Sequence, residues 1–336
     1  MRIVLYAKSC EFAGAALLAA ALKKFSSNAV SLIYHLREPY NFRQWFPDAL
    51  QITRDPRRCI GRIARADWIL LMGAPAVHSL MTRLSKHAAW KGQHLPPVEQ
   101  LSKEKQIACF ATGSQWHMEG VETRLRLRSV YRELGSLFFA MPNLMHLTDL
   151  SPLIPYYQPI APVYVEKADQ ILLSHSPGAK LAEDSKGTAK IARVFQQLCE
   201  AHSGAQYEIL SGLTNAECIR ARARAHIFVD QIPALVPGYV SKGVGGLGKS
   251  GLEAMASGCV TITSAEQLYS ASSFPSPPVL IARTEGELYR VIEDLIVHPS
   301  RRAAVQLEQT AWAREFVSPE FVAEHVLHGL QEFTKA

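Results

Sequence analysis

The sequence predicts an α/β chain of two Rossmann-like, doubly wound domains facing each other across a cleft. Three observations predict it. Short apolar runs alternate with longer helix-forming stretches, the pattern of a parallel sheet with helices on both faces. The alternation pauses over residues 149–164 (DLSPLIPYYQPIAPVY), where four prolines remove backbone donors and disfavour helix. It then restarts and continues to the end of the chain. The boundaries that follow are 1–150 for a first domain, 151–165 for a linker, 166–317 for a second domain, and 318–336 for a terminal helix packing back towards the first. A long surface loop inside one domain is the other reading of the proline segment.

Each element has its own signature. Residues 2–7 (RIVLYA) show a buried-strand pattern, and the Ala- and Leu-rich stretch 13–25 is a helix by composition. Residues 30–35 (VSLIYH) and 67–73 (DWILLMG) are the next strands, the second followed by a helix through Met81 and Leu84. Residues 106–112 (QIACFAT) and 137–141 (LFFAM) complete the first series. In the second series 170–176 (QILLSHS) is a strand, and 186–202 a helix with Ile191, Val194, Phe195 and Leu198 on one face. Residues 207–212 (YEILSG) are a strand. Thr214 and Glu217 form a capping box opening a helix through Arg224. Residues 226–232 (HIFVDQI) are a strand, 250–258 a short helix ended by Gly258, and 259–264 (CVTITS) and 278–283 (PVLIAR) two more strands. Thr284 and Glu287 cap the next helix, and Ser318-Pro319 opens the last one.

Composition narrows the function. A chain of 336 residues exceeds one ordinary domain and fits two of about 150. A hydrophobic share of 48% excludes global disorder. No run reaches the roughly 18 uncharged apolar residues of a membrane span. The apolar stretch after Arg2 meets Lys8 and Glu11, so it reads as a first strand and not a signal peptide. Cys10, Cys59, Cys109, Cys199, Cys218 and Cys259 are scattered without a CxxC pair, which points to reduced thiols in a cytoplasmic protein and to neither zinc nor a disulfide framework. The net charge of +6 suits an anionic ligand or an anionic membrane surface. Zinc-finger and RNA-binding aromatic signatures are missing, so nucleic acid is not an expected partner. Arg124, Arg128 and Arg132, spaced four apart, share one face of a helix; such a face suits lipid head groups at the inner side of the membrane, or plain solvent.

Residues 243–250 read GVGGLGKS and match the phosphate-binding loop pattern G-x-x-x-x-G-K-S letter for letter. In that chemistry backbone amides surround phosphates, Lys249 reaches the outer phosphates and Ser250 holds magnesium. The preceding PALVPGYVSK, with two prolines, is a poor central strand. Two other readings stand beside it: a plain glycine loop, and an anion site at the start of the 250–258 helix.

The segment after this loop, GLEAMASGCVTITS, resembles the signature of GT-B glycosyltransferases of the retaining family 4 type, through Glu253, Ala254, Met255, Ala256 and Gly258. Further segments resemble that family in order. Residues 174–191 (SHSPGAKLAEDSKGTAKI) carry its basic residue and Lys-Gly pair. RARAHIFVDQI (222–232) resembles the segment before the nucleotide loop, and ELYRVIEDLIVHPSRR with AREFVSPEFVAEHV the C-terminal helices. In the first half FAGAALLAAAL matches the first glycine loop, and FATGSQWH (110–117) stands where many members carry a His-Gly-Ser segment. The chain also departs from the pattern. Gly245 stands where the first of two glutamates is usual, and Thr112 stands near the usual histidine.

The resemblance implies glycosyl transfer from a nucleotide-activated sugar to an acceptor hydroxyl, with retention at the anomeric carbon. The acceptor would be a glycan, a lipid-linked sugar or a protein. Lysines and helix N-terminal amides would stabilise the leaving nucleoside diphosphate, so no metal and no further cofactor is expected. Lys186 and Lys180 would be the diphosphate cations, or else solvated lysines. Glu253 would hold the ribose hydroxyls, or else cap its helix. Gly246 and Gly248 would let the backbone approach the phosphates, and Gly14 would face the cleft or serve helix packing. Gly113 and Ser114 would meet the donor, Ser114 and His117 would stand near the reacting carbon, and His175 would touch phosphate; for both histidines a backbone-satisfied ring is the plainer reading. A phosphate-loop ATPase or kinase using 243–250, and a non-catalytic glycosyltransferase-like binding protein, are the alternatives. The missing first glutamate favours the latter.

Overall fold

A computed structural model of the chain describes residues 1–7, 12–34, 46–52, 54–72, 106–111, 137–140, 153–177, 186–232, 247–264 and 275–335. They form two compact units, Met1–Pro159 with Pro319–Ala336, and Ile160–Ser318.

The first unit holds a parallel sheet of β1 (Arg2–Ala7), β2 (Ala29–Tyr34), β3 (Leu50–Gln51), β4 (Trp68–Met72), β5 (Gln106–Ala111), β6 (Leu137–Ala140) and β7 (Leu153–Pro155). Its order is β3-β2-β1-β4-β5-β6-β7. Strands β1 and β4 are nearly continuous apolar runs because the centre of a parallel sheet is buried on both faces. One face is covered by α1 (Phe12–Phe25) and by α8 (Pro319–Lys335), which returns from the far end of the chain. A further helix, α2 (Pro56–Ala64), opens on a proline.

The second unit holds β8 (Ile171–His175), β9 (Ala205–Ile209), β10 (Ile227–Val229), β11 (Val260–Thr263) and β12 (Leu280–Ile281), ordered β12-β11-β10-β8-β9, all parallel. Helices α3 (Thr188–Ala201), α4 (Asn215–Arg224), α5 (Lys249–Ala256), α6 (Glu285–Val297) and α7 (Pro299–Phe316) join and flank these strands. Ile191, Val194, Phe195 and Leu198 of α3 pack with Leu288, Ile292 and Leu295 of α6 on Leu173, Ile227, Val229, Val260 and Ile262. This is the apolar face expected for the 186–202 helix.

The capping box at Thr214 is complete: Glu217 N donates to Thr214 Oγ1 at 3.3 Å, and Thr214 N to Glu217 Oε2 at 2.7 Å. At Thr284 only half of it forms, because the Glu287 carboxylate takes the amide of Arg283 instead. The proline segment, read from sequence as a linker, contributes β7. That strand is an edge, paired only to β6, and an edge tolerates prolines. Strand β9 begins at Ala205, two residues before its expected start. Strand β3 and helices α2 and α7 add to the elements read from sequence. Among the described residues no helix is long and apolar enough to cross a membrane.

Candidate functional site

Strand order locates the site within the second unit. From β8 the chain moves outward to β9; from β10 it moves outward the other way, through β11 to β12. Adjacent β8 and β10 therefore flank the point where the winding reverses, and ligands of open α/β sheets bind beyond the carboxyl ends of such strands. In chain order β8 is followed by α3 and β10 by α5.

These two helices begin differently from their neighbours. Helices α4 and α6, which follow the edge strands β9 and β12, open with threonine and carry Glu217 or Glu285 and Glu287 in the first turn. Helices α3 and α5 open with Gly187 and Gly248 and have no acid in the first turn. Neither has in its own first turn the acid that α4 and α6 carry there, and at the start of α3 an incoming anion would supply that compensation.

A buried carboxylate ties the two helix starts together. Asp230, directly after β10 and fully buried, accepts from Gly248 N at 2.7 Å, Ser250 Oγ at 2.8 Å and Lys186 Nζ at 3.0 Å. Lys186 also donates to Ser250 Oγ at 2.8 Å. Burial pushes the Asp230 carboxyl up, but the Lys186 ammonium and the bonds from Gly248 and Ser250 outweigh that and hold it below the ordinary value. Glycine is required around this network. Gly187 has φ +73°, and a Cβ there would lie 2.7 Å from the Ile232 carbonyl oxygen. A Cβ on Gly248 would lie 3.0 Å from Asp230 Oδ2.

Glu253 lies one turn into α5 and is buried. Its carboxylate pairs with the buried Arg222 guanidinium and, at 3.4 Å, with Lys249. Arg222 also donates to Ser176 Oγ at 3.1 Å. His175, at the end of β8, is fully buried. Its Nδ1 lies 2.7 Å from the Val229 carbonyl and so carries the proton, and its Nε2 lies 3.0 Å from Thr188 Oγ1. The ring thereby joins the two central strands to the start of α3.

Of the residues selected from sequence, Lys186, Gly248, Glu253 and His175 stand at this edge. Gly14 lies in the first unit, buried in the opening turn of α1, where the Gln158 amide packs against it. Gly113, Ser114, His117, Lys180 and Gly246 lie outside the described residues, as do Arg124, Arg128 and Arg132. Asp230, Arg222 and Ser176 were not selected as site residues. The signal that could have found Asp230 is an acid directly after a central strand, facing a Lys-Gly pair and a Gly-Lys-Ser turn.

No protein-family model matches the chain, and no curated protein matches its sequence. Solved structures match its fold over nearly the whole length. HepE from Anabaena, solved with UDP, aligns with a TM-score of 0.66 at 10% identity, covering 99% of this chain and 100% of that one. Sucrose-phosphate synthase from Thermosynechococcus elongatus aligns at 0.58 and 12% identity, covering 100% and 99%. UDP-GlcNAc 2-epimerase from Neisseria meningitidis, bound to UDP-GlcNAc, aligns at 0.57 and 10% identity, covering 99% and 100%. The chain therefore has the GT-B fold of two Rossmann-like domains.

Proposed function

We propose that the protein is a glycosyltransferase of the retaining family 4 type, which takes a sugar from a nucleoside-diphosphate donor without a metal. One observation carries the reading. At the winding reversal of the second sheet, two helices begin on glycine with no acid in their own first turns, beside Lys186 and Lys249, where an anionic ligand of such a sheet belongs. HepE of the same fold is solved with UDP, and the epimerase with UDP-GlcNAc. In this reading Lys186 and the amides opening α5 take the diphosphate, and Glu253, held by Arg222, takes the ribose. His175 sets the start of α3 and does not itself touch phosphate. The departing diphosphate gains negative charge as the glycosidic bond breaks, and fixed donors at that point lower the barrier.

The phosphate-loop alternative is disfavoured by the same geometry. The Ser250 hydroxyl is held by Lys186 and Asp230, and Lys249 lies against Glu253.

The test is calorimetric titration with UDP-, GDP- and ADP-sugars in EDTA, followed by product analysis with candidate acceptors. Binding of one sugar nucleotide, weakened roughly tenfold or more in Lys186→Ala, is expected, because a hydrogen bond to a charged group contributes about 1.5–3 kcal/mol. Strict dependence on magnesium and ATP would replace this reading with the kinase one. Donor binding without transfer to any acceptor would leave a binding protein.

A further inference from the structure

We infer that helix α2 carries a binding site for the phosphate monoester group of a soluble molecule, formed by Arg57, Arg58 and Arg65 around Gly61. The site lies in the first unit and does not depend on the nucleotide reading above.

Residues 54–65 read RDPRRCIGRIAR, five arginines against one acid. All five arginines are exposed, while Cys59 and Ile63 bury the opposite side of the helix. Neighbours on a helix surface stand three and four residues apart, so Arg57, Arg58, Ala64 and Arg65 surround Gly61. The three atoms nearest to a Cβ placed on Gly61 all belong to the Arg65 guanidinium, at 3.5–3.8 Å. The result is a shallow notch floored by two small residues, with arginines at the other three neighbouring positions.

Three rules of helix chemistry are broken together here. Arg57 and Arg58 stand in a first turn that holds no acid, so they oppose the helix dipole, and the Asp55 side chain forms no cap. Arg58 and Arg62 are four residues apart, and Arg62 and Arg65 three, so like charges face each other. Gly61 weakens the helix interior. The fold does not ask for that glycine: it is not among those with positive φ, and a Cβ there would meet only ordinary van der Waals contact. Elsewhere exposed cations are paired, Arg2 with Asp67, Lys23 with Asp48 and Arg193 with Glu285. Among the described residues no carboxylate pairs with the five arginines, and Asp48 and Asp67 are already taken. An anion in the notch relieves both charge conflicts, and the missing Cβ lets it approach the helix closely.

The chemistry of the face selects the anion. Guanidinium forks bind phosphate oxygens in pairs. A monoester offers three terminal oxygens and a charge of about −1.5 to −2, which suits three arginines around one notch. A helix that lies on a membrane carries large apolar side chains beside its cations. Among the described residues, none of the exposed large apolar side chains belongs to α2. The occupant is therefore a soluble phosphate monoester and not a lipid surface.

The test follows arginine Nε–Hε resonances of the full chain by nuclear magnetic resonance. The probes are inorganic phosphate and glycerol 3-phosphate, both dianions, and dimethyl phosphate, a diester. Arg58 and Arg65, assigned through their alanine variants, should shift and saturate with the dianions at about 1 mM or below, and respond roughly tenfold or more weakly to the diester. Gly61→Glu puts a carboxylate into the notch and should abolish saturation without lowering the melting temperature, since Glu is the better helix former. Should that variant melt early, Arg65→Ala reads the same loss for Arg58. An equal response to diester and dianions would make the face a diffuse charge and overturn the inference, as would saturation that survives Gly61→Glu. Absence of saturation would overturn it too. Sedimentation with phosphatidylglycerol vesicles in that last case would assign the face to a membrane surface instead.

Discussion

His226 shows how one half-buried ring couples the second unit to pH. Its Nδ1 accepts the Leu172 amide at 3.1 Å, which requires a lone pair on that nitrogen. Burial, with Lys167 and Arg302 nearby, lowers its pKa from 6.5 to about 4. The unfolded chain therefore binds more protons than the folded one between these values. Stability from this residue is complete above about pH 6.5 and declines as pH falls towards 4, with a slope of up to about 1.4 kcal/mol per pH unit. Asn places an amide oxygen near the position of Nδ1 and does not titrate. His226→Asn should remove that slope, measured as the pH dependence of the urea midpoint; an unchanged slope would assign it to other groups. At the candidate site, Lys249→Ala should keep donor affinity within about tenfold, because Lys249 lies against Glu253. Glu253→Gln should weaken it further, by loss of a charge-assisted acceptor for ribose. Equal titrations of both variants and wild type would place the ribose elsewhere. Lys186, Gly248 and Glu253 were legible in the sequence because each sits in a motif of fixed spacing. Asp230 and Arg222 were not. A lone acid after a strand, and an arginine in RARAR, look like solvated charges until packing decides which face they occupy.

At the level of elements, the starts of α3 and α5 carry the candidate function and the starts of α4 and α6 carry stability. Gly187 is the clearest case. Its φ of +73° lies where side chains are strained, and a Cβ would meet the Ile232 carbonyl oxygen at 2.7 Å. The Ile232 amide also donates to the Lys186 carbonyl at 3.1 Å, so the turn that aims Lys186 is held from both sides. Gly187→Ala should cost about 2–4 kcal/mol in urea unfolding, more than a helix cap such as Thr214, whose removal costs about 1 kcal/mol. A cost below that of Thr214→Ala would show that the turn relaxes freely. Long apolar runs and capping boxes were legible because they are local: β1, β4, β5, β8, α3 and α4 follow the pattern closely. Strand β7 was hidden, since its prolines argue against a strand unless it is known to lie at an edge. Strand β3, with two residues, carries no period at all. Helices α2 and α7 each open on proline after Asp55 and His298, a signal present in the sequence and weaker than an apolar stripe.

Across the whole molecule, the two units depend differently on the continuity of the chain. The second unit is closed by its own ends, with Ile160 N donating to the Val317 carbonyl at 2.8 Å. Tyr164 and Arg314 meet beside them, Arg314 Nε donating to the tyrosine oxygen at 3.2 Å. The first unit is discontinuous. Helix α8 contributes Val322, Ala323, Val326, Leu327 and Leu330 to its core. Gly329 lets that helix approach so closely that a Cβ would come within 2.7 Å of Ile154. His325 Nε2 lies 2.7 Å from the Pro155 carbonyl, and Phe333 meets Trp68 edge-on with ring centroids 6.0 Å apart. Burying a large apolar side chain contributes about 1.5–3 kcal/mol, so removing four of them takes away about 6–12 kcal/mol. That equals the whole stability of an ordinary domain, about 5–15 kcal/mol. Residues 160–318 expressed alone should therefore melt cooperatively and bind UDP or its matching nucleotide within about tenfold of the full chain, since Lys186, Asp230, Ser250 and Glu253 are all retained. Residues 1–159 alone should not fold, and the same segment joined to 319–336 by a flexible linker should. Circular dichroism melts of the three fragments and calorimetry on the first decide it. A cooperative melt of 1–159 without the helix would show that α8 is an accessory to the first unit, and loss of nucleotide binding by a folded 160–318 would show that the first unit supplies donor contacts.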